Sequence, residues 1–447
     1  MASRLTHHWA ALACAVLLGT TLPERSTAQP QPLTLQGALE AARTAHPELR
    51  VANADIAIAR ADSSYARIRA FNPELELQVA RGGQSLGSGE ESKIDVGISQ
   101  EFELWGKGAA RQSLASARAQ TSAAEWRAKL QQIESNVRAR FARALFLQDR
   151  GTVIHALADL DRRVVRASQA RVRDGSMTPV TARLTELDLF RLETQGRRTN
   201  GELRQAIVAL GLAMGQAIPD STRLDGDLHV DSLSTPEDSV VALGMRSRAD
   251  RDVLRRRIAE RQAELRLAER ANRPNITLGV GLSRERQSLS GDDFTGDPAI
   301  IDGITGANST DNLWTARIST PLPLWQKNQA ERAHASASIA RSQAEFDRYS
   351  LQTQLEITGA VRRFQDAAGL YGLYLARSAR VRQDLVLIRE AYADGRIPLD
   401  SYLTQKGRLV DTLLDQLEAG DAYWAARAEL ESEVGLDLAH MNGGVDR

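Results

Sequence analysis

Four segments of the chain alternate apolar and polar residues, and each is roughly ten residues long. In the first, the apolar residues Leu75, Leu77 and Val79 are separated by charged or amide side chains. The same alternation recurs over residues 94–98, 276–282 and 314–318. A period of two places alternate side chains on opposite faces of a β-strand. About ten residues also cross a membrane at a tilt, so the pattern predicts either membrane strands or a half-buried soluble sheet.

A second pattern predicts long helices. Apolar residues recur at alternating spacings of four and three in the second half of the chain, at Ile357, Val361, Phe364, Ala368, Tyr371 and Leu375. A weaker version in the first half comprises Leu130, Ile133, Val137, Phe141 and Ala144. This spacing keeps one apolar seam facing a partner helix. Because the tracts run well beyond about 25 residues without a breaker, they predict extended helical hairpins rather than a compact bundle.

The chain also repeats itself at an offset of 220 positions. The stretch ISQEFELWGKGAAR resembles ISTPLPLWQKNQAER, which places Trp105 and Trp325 at equivalent points. Gly175 and Gly395 are separated by the same offset, and each follows an Asp and interrupts a long helical tract. A repeat of this length indicates a duplicated half-chain.

We therefore expect two repeats with one order of elements: a first helix, two strands, a very long helix, a glycine turn and a returning helix. The first repeat is predicted over residues 29–235, with strands at 72–83 and 92–103. The second is predicted over 236–447, with strands at 274–285 and 311–322. The opening helices are predicted as single helices over Thr34–Ala70 and Ser239–Ala271. Pro and Asp residues between Gly215 and Ser239 predict a linker, and the Asp-rich stretch Gly291–Asn312 predicts an extracellular loop.

Residues 1–28 are predicted as a cleaved secretory signal peptide. A basic start precedes an apolar run from Trp9 to Leu22, and small residues up to Ala28 offer a cleavage site before Gln29. The run is shorter than the ~20 apolar residues of a spanning helix, which disfavours the alternative of a membrane anchor. The only cysteine, Cys14, lies inside the run, so we expect no disulfide or thiol chemistry in the mature chain.

Composition narrows the function. Lys plus Arg and Asp plus Glu both number 57, so no basic excess points to nucleic acid. No later segment is an uninterrupted apolar run long enough for a spanning helix. The histidines are scattered, and we find no Ser-His-Asp set, paired carboxylates or phosphate-binding loop. An enzyme, a resident metal site and a cofactor are therefore not expected.

The strands constrain how many copies assemble. Four strands cannot close a barrel, because the smallest bacterial single-chain barrels use about eight. An open strand edge is not tolerated in lipid, so several copies must share one barrel. Three copies would supply twelve strands, with each tryptophan marking the place where a strand leaves the membrane and a long helix begins.

The chain resembles the TolC family of outer-membrane efflux channels, and most resembles its cation-efflux branch, which serves heavy-metal resistance pumps. The resemblance covers nearly the whole mature chain. It rests on the duplicated helix–strand–strand–helix order, the stretch ALEAARTAHPEL, the two Trp–Lys junctions and the two glycine turns. It implies a trimer in the outer membrane, with a twelve-strand β-barrel continuous with a long periplasmic α-helical barrel. It further implies a non-catalytic conduit that works with a periplasmic adaptor and an inner-membrane pump of the RND type.

The resemblance also assigns candidate site residues. The periplasmic tips that would meet the adaptor are Gly175, Ser176, Thr178, Gly395, Arg396 and Pro398. The residues that would narrow the pore are Tyr392, Asp394 and Asp400. The aromatic residues expected at the membrane interfaces are Phe102, Trp105, Trp314 and Trp325. Simpler roles remain open at this point: the glycine turns could be plain helix caps, and Asp400 could be a solvated helix residue.

Two other functions remain as alternatives. A soluble periplasmic coiled-coil adaptor would need a single hairpin and a lipoyl-like β domain, which we do not find. An outer-membrane conduit for drug efflux or type I protein secretion would share the same fold, and the sequence does not separate it from cation efflux.

Overall fold

The computed structural model describes residues 32–68, 71–83, 90–226, 228, 230–288 and 308–443. In chain order the first half contains β1 (Leu33–Thr34), α1 (Leu35–Ala45), α2 (Pro47–Tyr65), β2 (Glu74–Gly83), β3 (Glu90–Phe102), α3 (Lys107–Arg173), α4 (Pro179–Met214) and β4 (Leu224–Asp225). The second half contains α5 (Glu237–Ser247), α6 (Ala249–Ala271), β5 (Ile276–Ser288), β6 (Asn308–Ser319), α7 (Gln329–Ala393), α8 (Leu399–Val434) and α9 (Leu438–Gly443). Helix dominates, as the sequence predicts.

Two helical hairpins form the body of the molecule. Helix α3 has 67 residues and α7 has 65, so each is about 100 Å long at ~1.5 Å per residue. Each packs against its returning helix, α4 or α8, and α3 also packs against α8. The four long helices therefore lie in the order α4–α3–α8–α7, with α4 and α7 on the outer edges. None of the helices in the described ranges is long and apolar enough to cross a membrane.

Two larger apolar clusters lie where the shorter helices pack on the hairpins. One joins α1 to α3 and α4 around Val137, Phe141 and Leu210. The other joins α5 and α9 to α7 and α8 around Phe364, Tyr423 and Leu430. Two smaller clusters continue along the hairpins toward their glycine turns. The predicted seam residues Ile357, Val361 and Phe364 are fully buried, which confirms the coiled-coil register in the second half.

The four long strands form one antiparallel sheet in the order β2–β3–β5–β6. The central pair joins the two halves of the chain, with Phe102 opposite Ile276 at the end nearest the helices. The alternation predicted from the sequence holds, because Leu77, Val96 and Leu282 lie side by side on one face. Strands β2 and β6 are the outer strands of the sheet.

The opening helices differ from the prediction. Each is split in two, at His46 in the first half and at Arg248 in the second. At the first break Pro47 disfavours a helical conformation for the preceding residue, and the His46 side chain caps α2. At the second break the Gln131 side chain accepts a hydrogen bond from the Ala249 N–H and donates one to the Ser247 carbonyl oxygen. This long-range contact has no local sequence signal.

Other differences are small. The strand ends move by up to three residues from the predicted ranges, and the fourth strand is the most displaced, at 308–319 rather than 311–322. A two-residue parallel pair between β1 and β4 was not predicted and ties the start of the described chain to the predicted linker. Residues Asn308–Asn312 of the predicted loop belong to β6, and the rest of that loop falls on 289–307, outside the described residues. The predicted signal peptide also lies outside them.

Candidate functional site

Both hairpin turns have the same backbone geometry. Gly175 follows α3 with φ +72°, and Gly395 follows α7 with φ +71°. In the first turn the Ser176 N–H donates to the Arg171 carbonyl oxygen at 2.9 Å and the Gly175 N–H to that of Val172 at 3.1 Å. The second turn makes the same two bonds, at 2.8 and 3.0 Å, from residues 396 and 395 to 391 and 392. This is the Schellman ending, in which a left-handed residue closes a helix.

The six predicted tip residues are all exposed, and the two tips lie close together. Met177 of the first tip and Ile397 of the second pack against one buried cluster, which consists of Val164, Tyr392, Leu399 and Tyr402. The Thr178 hydroxyl accepts a hydrogen bond from the Thr181 N–H at 3.2 Å and so caps α4. Pro398 occupies the same position before α8 and provides no side-chain cap.

The three predicted pore residues lie in different environments. Tyr392 is buried within the protomer, where its ring stacks on Tyr402 at a centroid distance of 4.8 Å. The Arg171 guanidinium lies 4.7 Å from the centre of the Tyr392 ring, so this pair links the two hairpins. Asp394 is exposed and accepts a 2.6 Å hydrogen bond from Arg396. Asp400 is exposed in the first turn of α8.

A buried ion cluster near the tips was missed by the sequence reasoning. Lys406 of α8 is 4% exposed, and its ammonium donates to both carboxylate oxygens of Asp161 on α3, at 3.1 and 3.0 Å. It also donates to Asp188 of α4 at 2.8 Å. The cluster therefore joins three of the four long helices. A signal was present, because Lys406 stands in register with the apolar stripe of Tyr402, Val410 and Leu413.

This environment shifts two proton equilibria. Burial raises the pKa of Asp161, because the carboxylate loses water, while Lys406 opposes the shift by stabilising the charged form. Burial also raises the pKa of the Tyr402 hydroxyl, and the nearby Asp161 adds to that effect. Two carboxylates around one ammonium leave the cluster with a net negative charge while Asp161 is ionised.

The sheet has two chemically distinct faces. One face is apolar and exposed, with Leu75, Leu77 and Val79 each more than two-thirds accessible. The other is polar and more enclosed, and Ser283 on it is only 4% exposed. Arg317 of β6 reaches across the polar face to Glu76 of β2, with 3.6 Å between their charged atoms. The sheet therefore curves around its polar face and presents its apolar face outward.

The four predicted interface aromatics lie at different levels. Phe102 ends β3 at the helix side of the sheet, whereas Trp314 lies further along the outward face of β6 and is 80% exposed. Trp105 and Trp325 lie in the turns between strands and helices. Trp105 has φ +64°, which is unusual for a bulky residue, and Arg273 stacks on its ring at 5.5 Å. Trp325 is 83% exposed.

The two outer helices carry exposed apolar side chains. On α4 these include Leu187 and Phe190, and on α7 they include Leu373 and Leu387; all four are more than 60% exposed. A single copy of the chain leaves these surfaces in contact with water, which is unusual for so many large apolar groups on one molecule. Among the described residues no group of three or more His, Cys, Asp or Glu side chains is arranged to hold a metal ion.

Comparisons with known proteins agree with this geometry. A relative from Cupriavidus metallidurans, the cobalt-zinc-cadmium resistance protein CzcC, is 24% identical over 327 residues, which is 72% of this chain and 71% of the relative. The solved outer-membrane channel OprN superposes with a TM-score of 0.69 at 14% identity, over 90% of each chain. CusC, solved in a study of transmembrane channel formation, superposes with a TM-score of 0.68 at 15% identity, over 90% of this chain and 92% of that one.

The family match covers both halves of the duplication. Residues 38–216 and 248–436 match the family described as outer membrane efflux protein. Each matched segment contains one pair of long strands and one helical hairpin. The chain therefore belongs to the outer membrane efflux protein family, whose members are the outer-membrane channel components of tripartite efflux systems and extend into the periplasm.

Proposed function

We propose that three copies of this chain form a passive outer-membrane conduit for metal cations, which an inner-membrane pump of the RND type and a periplasmic adaptor deliver to it. The main support for this proposal is the four-stranded sheet. Its outward face is apolar, and its outer strands β2 and β6 have open edges. Open edges cannot face lipid, because their backbone N–H and C=O groups would lack hydrogen-bond partners. Three sheets joined edge to edge give a closed barrel of twelve strands.

The helices support the same assembly. Because α4 and α7 lie at opposite ends of the row of four helices, copies arranged in a ring bring α4 of one protomer against α7 of the next. Their exposed side chains, among them Leu187 and Phe190 on α4 and Leu373 on α7, would then be buried. Each fully buried side chain of this size contributes about 1.5–3 kcal/mol.

The tips support docking of an adaptor. Both are exposed glycine turns at the end of the molecule furthest from the sheet, and they lie side by side on one cluster. Exposed turns held by a rigid scaffold commonly carry binding functions. Gly175, Ser176, Thr178, Gly395, Arg396 and Pro398 are the proposed contact residues.

Two observations support metal cations as cargo. The polar face of the sheet is acidic: Glu74, Glu76, Glu91, Asp95, Glu101, Glu285 and Asp311 lie on it with Lys93 and Arg317. An acidic lining favours cations in a pore. The relative from C. metallidurans is named for resistance to cobalt, zinc and cadmium. Tyr392, Asp394 and Asp400 are the proposed residues of the constriction at the periplasmic end.

The assembly is tested by the mass of the full mature chain purified in detergent. We expect three chains per complex, and Leu187→Asp should shift the complex toward single chains because it places a charge in an apolar interface. Glu186→Gln, at the neighbouring and exposed position, is the matched control and should leave the trimer intact. A stable water-soluble monomer of the unmodified chain would refute the architecture.

The tip assignment is tested by Gly395→Trp. The backbone at Gly395 has positive φ, and a bulky side chain there would also obstruct a partner helix. The variant should still insert and form trimers, because the tip lies far from the sheet, but it should lose export in cells. Normal export by Gly395→Trp would contradict the assignment.

The cation assignment has two tests. Cells lacking the gene should become sensitive to cobalt, zinc and cadmium salts and be restored by the intact chain, with an organic drug as the comparison compound. Asp400→Ala should raise anion passage in bilayer conductance if three copies line the constriction. Unchanged ion selectivity would make Asp400 only a solvated helix residue, and sensitivity to the drug instead of the metal salts would assign a different cargo.

A further inference from the structure

The outward face of the sheet changes from apolar to basic at the end furthest from the helices. Reading away from the helices, cross-strand neighbours form apolar rows, the last of which contains Leu77, Val96, Leu282 and Trp314. The following row contains Val79, Ile94, Arg284 and Asn312. The row after that contains Arg81, Ser92, Arg286 and Thr310. Three arginines from two strands therefore lie together in these last two rows, the first of which still carries Val79 and Ile94.

The spacing of these rows matches the thickness of a membrane. Ten residues separate Phe102, at the helix end of β3, from Ser92 in the last arginine row. That is about 33 Å along the strand, or roughly 25 Å along the membrane normal at a tilt of ~40°. Outer-membrane strands have an apolar band of about that height. Measured from Phe102, Arg81 and Arg286 therefore lie at the outer border of a band of that height, and Arg284 lies one row inside this border, beyond Trp314.

The orientation of the chain in the membrane shows that the arginine rows lie on the side of the outer leaflet. The long helices extend into the periplasm, so the opposite end of the sheet lies at the cell exterior. The arginines are exposed on the side of the sheet that faces lipid under the proposed trimer. Within the described residues neither Arg284 nor Arg286 forms an ion pair. The acidic residues Asp95, Glu285 and Asp311 point to the opposite, polar face of the same strands.

We propose that Arg284 and Arg286, in the rows that also hold Arg81, form a binding site for the phosphates of an outer-leaflet glycolipid, repeated once per protomer. Guanidinium groups bind phosphate through paired, charge-assisted hydrogen bonds. Ser92, Thr310 and Asn312 lie between or beside the arginines and can donate further hydrogen bonds to phosphate or sugar oxygens. The apolar rows below would contact the acyl chains. This inference rests on the proposed membrane sheet, but not on the cargo.

The test uses the full mature chain, purified in detergent and freed of lipid, with three probes: lipid A carrying two phosphates, lipid A with its phosphates removed, and phosphatidylglycerol. Native mass spectrometry counts the molecules retained per trimer. We expect the unmodified chain to retain bisphosphorylated lipid A at least about tenfold better than either other probe, since hydrogen bonds to charged groups are the strong ones.

Two double variants with the same change in charge locate the site. Arg284→Gln/Arg286→Gln should lose the preference for bisphosphorylated lipid A. Lys93→Gln/Arg317→Gln, on the polar face of the same sheet, should keep it. Equal retention by both variants would overturn the proposal, as would a wild-type chain that does not distinguish the three probes. Retention of phosphatidylglycerol as strong as that of lipid A would overturn the glycolipid assignment.

Folding and function are read separately from lipid retention. Both double variants should remain trimeric, and Arg284→Gln/Arg286→Gln should also export normally in cells. If the glutamine variant does not assemble, the wild-type comparison of the three probes still decides the proposal, and Arg284→Lys/Arg286→Lys shows whether charge alone suffices. A wild-type chain that is not trimeric would refute the proposed assembly, whatever it binds.

Discussion

The two returning helices, α4 and α8, are copies of one duplicated unit, but they lie in different environments. Each has 36 residues, each follows the same Schellman turn, and each ends at a left-handed glycine, Gly215 or Gly435. Helix α8 lies between α3 and α7 and buries Tyr402, Lys406 and Val410. Helix α4 lies at the outer edge and exposes Leu187 and Phe190. The backbone of the duplicated unit persisted while its environment diverged.

One pair of equivalent positions shows this difference in burial directly. Glu186 of α4 and Lys406 of α8 are 220 positions apart, like the two tip glycines. Glu186 is exposed and accepts a 3.0 Å hydrogen bond from Gln169. Lys406 is buried and holds two carboxylates from the first half of the chain. The same point in the unit is therefore a surface residue in one copy and a link between hairpins in the other.

The largest effect is expected from Lys406→Met. The substitution keeps much of the side-chain volume but leaves Asp161 buried beside Asp188 without a cation. Removing one partner of a buried ion pair typically costs about 3–5 kcal/mol. We expect a lower midpoint of thermal unfolding, followed by circular dichroism, and faster hydrogen exchange in α8 near the tips.

Two further variants control this result. Glu186→Met changes the equivalent exposed position and should cost less than about 0.5 kcal/mol, as most surface changes do. Lys406→Met combined with Asp161→Leu removes the buried charge together with its partner and should recover much of the loss. If the single Lys406→Met variant unfolds like the unmodified chain, the cluster does not stabilise the contact between hairpins.

The same cluster predicts a pH dependence. Because burial raises the pKa of Asp161 in the folded state, the folded chain binds a proton there more readily than the unfolded chain. The contribution of this carboxyl to stability is therefore fully present below the ordinary Asp pKa and is lost as pH rises through the raised value. Asp161→Asn cannot titrate and should lack this component.

The pH-dependent contribution of Asp161 to stability is measured by comparing the unfolding midpoints of the unmodified chain and Asp161→Asn across a pH series. As pH falls from neutral, the stability of the unmodified chain should rise relative to that of Asp161→Asn. The subtraction removes the effect of surface carboxylates, which both proteins share. A difference that stays constant across the series would show that the folded environment leaves Asp161 unshifted.

The sequence predicted this architecture well where the pattern is periodic. Strand alternation around Leu77 and Val96, and the seam through Ile357 and Phe364, depend on local spacing alone. The ion cluster was missed because Asp161, Asp188 and Lys406 come from three helices whose adjacency only the fold reveals. The helix break at Arg248 was missed for the same reason, since Gln131, which bonds to both sides of that break, is distant in sequence.

The two tips should respond alike to substitution of their glycines. A Cβ added at Gly175 or Gly395 would meet nothing within 4 Å, so the cost of alanine there comes from positive φ alone. That cost is about 1 kcal/mol, and it should be equal at the two tips because their geometry is the same. Asparagine, which tolerates this conformation better, should cost less. Thermal unfolding of the four single variants measures this.

Gly407 provides a control at which alanine should raise stability, whereas alanine at the tips should lower it. It lies in the interior of α8, where an added Cβ also meets nothing within 4 Å. Alanine is favoured over glycine in a helix by about 0.5–1 kcal/mol, so Gly407→Ala should stabilise the chain. Unequal costs at Gly175 and Gly395 would mean that the two turns are not energetically equivalent despite their matching backbone.

The smallest effects concern the first residue before each returning helix, where the two tips do differ. Thr178 caps α4 through its hydroxyl, so Thr178→Ala should cost about 1 kcal/mol. Pro398→Thr would supply the missing cap before α8, but it also removes a proline whose φ of −71° suits its position. Losing that rigidity costs about 0.4–1 kcal/mol, so the two changes should nearly cancel. Unfolding midpoints of both variants give the comparison. A large loss from Pro398→Thr would show that proline rigidity dominates at the second tip, while a clear gain would show that the missing cap does.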